Sequence, residues 1–183
     1  MSKVLVFFAE GFEEIEALTV VDVLRRADVD TVMVSVTGNK RVPGSHGIAV
    51  GCDKLIETIN FDNADMIVLP GGMPGTLNLE LCEQLMDQVQ GFAVSKKYLA
   101  AICAAPTVLG RAGILKGKTA TCYPGMEKDL IGANLSTDSV CHDGNIITSR
   151  GLGTAIDFSL EIIRTLLGDE AASDMAEKIV YQK

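Results

Sequence analysis

The five cysteines, at positions 52, 82, 103, 122 and 141, include no Cys-x-x-Cys pair, and the 183-residue chain has only two histidines, His46 and His142. No Cys/His spacing matches a zinc site, so no metal is expected. An odd number of thiols without a secretion signal fits reduced cysteines in a cytoplasm rather than a disulfide framework. There is no basic block. The 24 acidic residues outnumber the 16 Lys and Arg, for a net charge of −8, which argues against nucleic-acid binding through phosphate neutralisation. The longest apolar segment, residues 99–115, is broken by Pro106, Gly110, Arg111 and Gly113 and makes a poor membrane span. Neither G-x-G-x-x-G nor G-x-x-x-x-G-K-[ST] occurs, so no nucleotide or other cofactor is expected. The apolar run Val4 to Ala9 is followed at once by Glu10, Glu13, Glu14 and Glu16, which reads as a first strand and not a signal peptide.

What remains is an ordinary globular composition, 48% hydrophobic and 22% charged, of a length that suits one domain over residues 1–183. Apolar, β-branched runs at residues 3–9, 31–36, 66–69 and 98–102 predict buried strands. Helices are predicted over 13–27, where Ile15, Leu18, Val21 and Leu24 share a stripe, and over 80–95, 104–112, 154–167 and 170–179. Residues 37–51 read as a turn or hairpin, with a short strand near 48–52. Val140–Cys141 and Ile146–Thr148 read as two strands joined by His142-Asp143-Gly144-Asn145, where Asp-Gly is the turn signal and His142 is expected in solvent. Strands alternating with helices imply α/β architecture: a mostly parallel sheet with helices on both faces. Ligands bind such sheets outside the strand C-termini. Three loops of unusual composition leave those ends: 10–16, 70–75 and the surroundings of Cys103.

Cys103 lies in Ala100-Ala101-Ile102-Cys103-Ala104-Ala105-Pro106-Thr107, between a strand and a helix that tolerates Pro106 in its first turn. A nucleophile elbow needs small residues two before and two after, and Ala101 and Ala105 fill those places. At such a turn the helix N-terminus favours a thiolate, so a depressed thiol pKa is expected. The competing reading is a packed core cysteine. Gly71-Gly72 either forms a tight turn or, with the N–H of Ala104, donates to an oxyanion. Glu13 and Glu14 are explained by a helix start. Glu16 falls beside the apolar stripe. If it faces Cys103 it should be protonated, because burial raises a carboxyl pKa.

Together Glu13-Glu14-Ile15-Glu16, Leu69-Pro70-Gly71-Gly72, Ala100–Pro106 and Thr148–Thr154 resemble the ThiJ/PfpI superfamily, most closely its parkinsonism-associated deglycase branch and small bacterial relatives. The resemblance implies a three-layer, flavodoxin-like sandwich of the class I glutamine amidotransferase type, and a homodimer. It implies Cys103 as the reactive cysteine, Glu16 as its protonated partner, and Gly72 and Ala104 as backbone donors. Arg25, Arg26 and Arg150 fall where relatives use arginines near the interface and site. Two departures stand out. Tyr123, in Thr121-Cys122-Tyr123-Pro124, replaces a histidine, which removes a Cys-His-Asp/Glu triad but leaves a hydroxyl able to meet a substrate. His46 replaces an arginine in the Ser45-His46 context, altering anion binding at the site mouth. Cys122 is a candidate second redox thiol, and a buried structural cysteine explains it equally well.

The resemblance implies three functions. The first is glutathione-independent conversion of small reactive aldehydes, or removal of early glycation adducts from protein, with Gly71, Tyr123 and His46 as substrate contacts. The second is a redox-responsive stress protein or chaperone using oxidation of Cys103. The third is a peptidase or amidase, weakened by Tyr123.

Overall fold

The computed structural model describes residues 2–182. Its main sheet has seven strands: β1 (Lys3–Phe8), β2 (Asp30–Ser35), β5 (Lys54–Leu55), β6 (Met66–Leu69), β7 (Tyr98–Ile102), β10 (Val140–Asp143) and β11 (Ile146–Ser149). Two small pairs lie outside it, β3 (Arg41–Pro43) with β4 (Ala49–Gly51), and β8 (Thr119–Ala120) with β9 (Asn134–Leu135). The sheet order is β10-β11-β7-β6-β1-β2-β5, and only the β10–β11 pair is antiparallel. Among the described residues there are six α-helices, α1 (Glu14–Arg26), α2 (Gly75–Glu80), α3 (Glu83–Ser95), α4 (Pro106–Arg111), α5 (Ala155–Leu167) and α6 (Asp169–Lys178), besides three single 3-10 turns.

The central strands are apolar on both faces because each face carries its own core. Along β1, Val4, Val6 and Phe8 pack with α1, α5 and α6, whereas Leu5 and Phe7 pack with α3 and α4. Met66 and Val68 of β6 join the first core and Ile67 and Leu69 the second, the alternation that a period-2 strand imposes. The result is the three-layer, flavodoxin-like α/β sandwich expected. Among the described residues no helix is long and apolar enough to cross a membrane.

Four expectations need correction. Ile15 is 50% exposed, and the buried stripe of α1 is Ala17, Val20, Val21 and Leu24. That set has the i, i+3, i+4, i+7 spacing, and Ile15 lies more than half a turn round the helix from Ala17. The helix expected over 80–95 starts at Glu83, because Glu80 is the last residue of the preceding helix α2. Cys82 adopts extended backbone between α2 and α3, and Leu81 is left in solvent. The helix expected from Ala104 starts at Pro106, because the chain first turns through Cys103–Ala105. His142 lies within β10 and not in the turn, which is confined to Gly144-Asn145. It is exposed as expected, with Nδ1 2.8 Å from Glu161.

Candidate active site

Strands β7, β6 and β1 are consecutive in the sheet and parallel, so the three loops leaving their C-termini meet. Backbone hydrogen bonds tie them together. The Glu13 N–H donates to the Gly71 carbonyl at 2.9 Å, and the Gly75 N–H to Gly11 at 3.1 Å. Cys103 donates its N–H to Ser149 on β11 at 2.9 Å and accepts the Tyr123 N–H at 2.7 Å.

Cys103 has φ +65°, the left-handed conformation that an L-residue adopts at a cost. This turn aims its sulfur at the N–H groups of Ala104 and Gly72, both of which donate to it. Gly72, at φ +93°, has no room for a Cβ, which would overlap the backbone of Gly11 and Glu13. Gly71 has a different task from the substrate contact expected. Its N–H donates to Glu16 Oε2 at 3.0 Å, and a Cβ there would lie 2.6 Å from both Cys103 Cβ and Glu16 Oε2. Gly71 is fully buried and does not line the cavity, so it positions Glu16 instead.

Glu16 is 1% exposed and hydrogen-bonded to the Cys103 side chain. Burial, reinforced by the charge of Glu13, raises its pKa from 4.5 to about 7, against the lowering effect of its bonds to Cys103, Gly71 and the Leu152 N–H. The depressed thiol pKa expected of Cys103 does not follow. Burial, and then the negative charge of Glu16, push the thiol up to about 12, although Ala104 and Gly72 pull the other way. Two adjacent charges are disfavoured in this site. The pair therefore releases one proton near 7 and the second only near 12. The first proton leaves from Glu16 in the neutral range, and the Cys103 thiol keeps its proton there.

The sulfur opens into a cavity of about 530 Å3 that Gly72, Ala104, Glu13, His46 and Tyr123 also line. Glu13 is the N-cap of α1, its carboxylate accepting the Glu16 N–H at 2.6 Å, as a helix start predicts. Glu14 departs from that explanation. It is buried and gathers the segment 45–48: the N–H of His46 at 2.7 Å, His46 Nδ1 at 2.9 Å, the Ser45 hydroxyl at 3.2 Å and the Ile48 N–H at 3.3 Å. Burial alone would raise the Glu14 pKa, but these bonds outweigh it and hold the carboxyl at about 2. The same contacts raise the His46 pKa. No signal in the sequence marks Glu14, because its partners lie more than thirty positions away.

The arginines are not brought to the sulfur. Arg25 and Arg26 end α1, at the pole of the sheet opposite its N-terminal Glu14. Arg25 pairs with Asp53 at 2.6 Å and Arg26 with Asp22 at 2.7 Å. Arg150 follows β11 on the site side but lies outside the cavity lining. Cys122 is buried, and burial first, then the charge of Glu127, pushes its thiol up to about 11, which suits the structural reading. Glu13, Glu14 and His46 cluster closely enough to hold a cation, but Glu14 is already saturated with donors.

Residues 2–165 match the DJ-1/PfpI family. The Drosophila melanogaster protein dj-1beta is 37% identical over 98% of this chain and 98% of its own length. The Arabidopsis thaliana protein DJ-1 homolog B is 39% identical over 98% of this chain, which spans only 42% of that longer protein. Among solved structures, oxidized DJ-1 of Toxoplasma gondii superposes with a TM-score of 0.96 at 36% identity, with full coverage of both chains. With sequence likeness over nearly its whole length and the same backbone throughout, this chain belongs to the DJ-1/PfpI family.

Proposed function

We propose that this protein converts reactive 2-oxoaldehydes to 2-hydroxy acids without glutathione, with Cys103 as nucleophile and Glu16 as proton shuttle. One observation carries the reading: a carboxyl with a pKa near 7 is hydrogen-bonded to a thiol at the mouth of an open cavity. A general base works best when its pKa lies near the working pH. With methylglyoxal, Glu16 takes the thiol proton as sulfur adds to the aldehyde carbon and passes it to the alkoxide oxygen, giving a hemithioacetal and a free carboxylate. In this reading the N–H groups of Gly72 and Ala104, which face the sulfur, turn to the oxygen of the adduct and stabilise its developing negative charge. Glu16 then moves the proton from the former aldehyde carbon to the neighbouring ketone carbon, leaving a thioester. Water hydrolyses this to lactate and restores the thiol, so the net change is addition of one water. The same carbonyl chemistry extends to early glycation adducts on proteins.

A peptidase reading has less support. His46 is engaged by Glu14, and among the described residues no histidine bonds to Cys103. A redox role is the second reading, favoured by the oxidized state of the Toxoplasma relative. Peroxide would convert Cys103 to a sulfinate, and a protonated Glu16 would donate to it. The half-exposed Ile15 and the exposed Ile48 suit contact with a second copy of the chain, so a homodimer is expected. Light scattering at micromolar concentration tests this, and a monomer would contradict it.

The deciding experiment is glutathione-free formation of lactate from methylglyoxal by the wild type and by Cys103→Ala. Turnover that disappears in the variant supports the carbonyl reading. Equal rates in the two proteins would exclude it.

A further inference from the structure

The cavity is far larger than a three-carbon aldehyde needs. Its roughly 530 Å3 falls in the range of sites that enclose drug-sized ligands. Beyond the sulfur and its donors, Glu13, Ser45 and His46 form a polar part of the wall, and Met73, Tyr123, Pro124 and Met126 form its apolar part. Met73 is 50% exposed and Tyr123 52% exposed, so both present surface that no other described residue covers. Tyr123 is nonetheless held in place. Its N–H is bound by the Cys103 carbonyl at 2.7 Å, and its own carbonyl accepts the Met126 N–H at 3.1 Å. Its ring carbon Cδ2 is 3.5 Å from where a Gly151 Cβ would stand, a point itself 3.9 Å from Cys103 Sγ. The ring edge and the reacting atom therefore both border the small space beside Gly151. Among the described residues, the Tyr123 hydroxyl makes no hydrogen bond that would turn the ring to another purpose.

Charge points the same way. No Lys or Arg lines the cavity. His46 is held by Glu14 at 2.9 Å and lies 4.0 Å from Glu13, so a positive charge on its ring is offset on both sides. An anionic substituent would find no uncommitted cation here, whereas an aromatic or thioether surface suits an uncharged apolar one.

We propose that the site selects 2-oxoaldehydes bearing a bulky, uncharged apolar substituent, which packs between Tyr123 and Met73. This preference rests on the carbonyl-converting reading and adds its substrate class.

The test compares kcat/KM for phenylglyoxal, read as mandelate, with that for methylglyoxal, read as lactate, in the wild type, Tyr123→Ala and Tyr123→Phe. The wild type should favour phenylglyoxal. Tyr123→Ala should cut the phenylglyoxal-to-methylglyoxal ratio by about tenfold, chiefly through a higher KM for phenylglyoxal, as loss of one aromatic contact and its buried area predicts. Tyr123→Phe should keep the ratio, because the ring and not the hydroxyl makes the contact. A wild-type preference for methylglyoxal, or a ratio that Tyr123→Ala leaves unchanged, would overturn the proposal while leaving the reaction standing. Turnover of neither compound would overturn the reaction itself.

Discussion

The carboxyl of Glu16 and the thiol of Cys103 form one hydrogen-bonded acid–base pair, the carboxyl buried and the thiol partly exposed, whose first proton leaves near pH 7. Neither residue has this character alone. Burial makes the carboxyl a weaker acid than usual, and the nearby carboxylate makes the thiol a weaker acid still.

Replacing Glu16 by Gln keeps the shape and removes the base. Turnover of a 2-oxoaldehyde should fall by about 10²–10⁴-fold, the usual contribution of a positioned general acid–base group. Steady-state rates with circular dichroism as a folding control check this, and near-wild-type turnover would remove Glu16 from the chemistry.

The same substitution should raise thermal stability at pH 8. A carboxyl whose folded pKa is raised from 4.5 to about 7 favours the fold fully below 4.5, and that contribution is lost as pH rises through about 7. Gln carries no such penalty. The Tm of Glu16→Gln should exceed that of the wild type at pH 8, with the advantage vanishing near pH 4.

Alkylation should separate Cys103 from the buried thiols, and its pH profile should separate it from Cys82. Cys103 and Cys82 are partly exposed, whereas Cys52, Cys122 and Cys141 are buried. Its iodoacetamide rate, followed by peptide mass mapping, should rise with an inflection near pH 7, where the pair first ionises, and Glu16→Gln should abolish that inflection. Uniform labelling of the five thiols would contradict the shared-proton arrangement.

Glu14 should behave as a structural clamp. Glu14→Ala leaves the donors of residues 45–48 without their acceptor and should cost about 1–3 kcal/mol in denaturant unfolding. Glu14 has a folded pKa lowered from 4.5 to about 2, so its contribution is complete above 4.5 and lost as pH falls through about 2. The stability gap between wild type and variant should therefore close between those values.

The sheet and its elbow were legible in the sequence because they are written locally. Continuous apolar runs mark strands with a core on each side, and the small residues around Cys103 mark a tight turn. Glu16 was legible through its phase on α1. Ile15 misled because it is apolar yet turned outward. The jobs of Glu14 and Gly71 were not legible, since each depends on a partner brought near only by folding: the segment 45–48 for one, the Glu16 carboxyl for the other. The thiol pKa was misjudged for a related reason. The turn predicts the donors that help an anion, but only the folded site shows how deeply it is buried and what charge stands opposite.

The φ of +65° at Cys103 sets stability against function at one position. Glycine would adopt this conformation without the ~1–2 kcal/mol that left-handed backbone costs an L-residue. A chain selected for folding alone would gain by carrying glycine at 103, and a search for thermostable variants should be drawn to Cys103→Gly even though that change deletes the sulfur. Asp28, Lys96 and Val180 share this left-handed backbone, and of the four Cys103 is the one that lines the cavity, so here the strain coincides with the working atom.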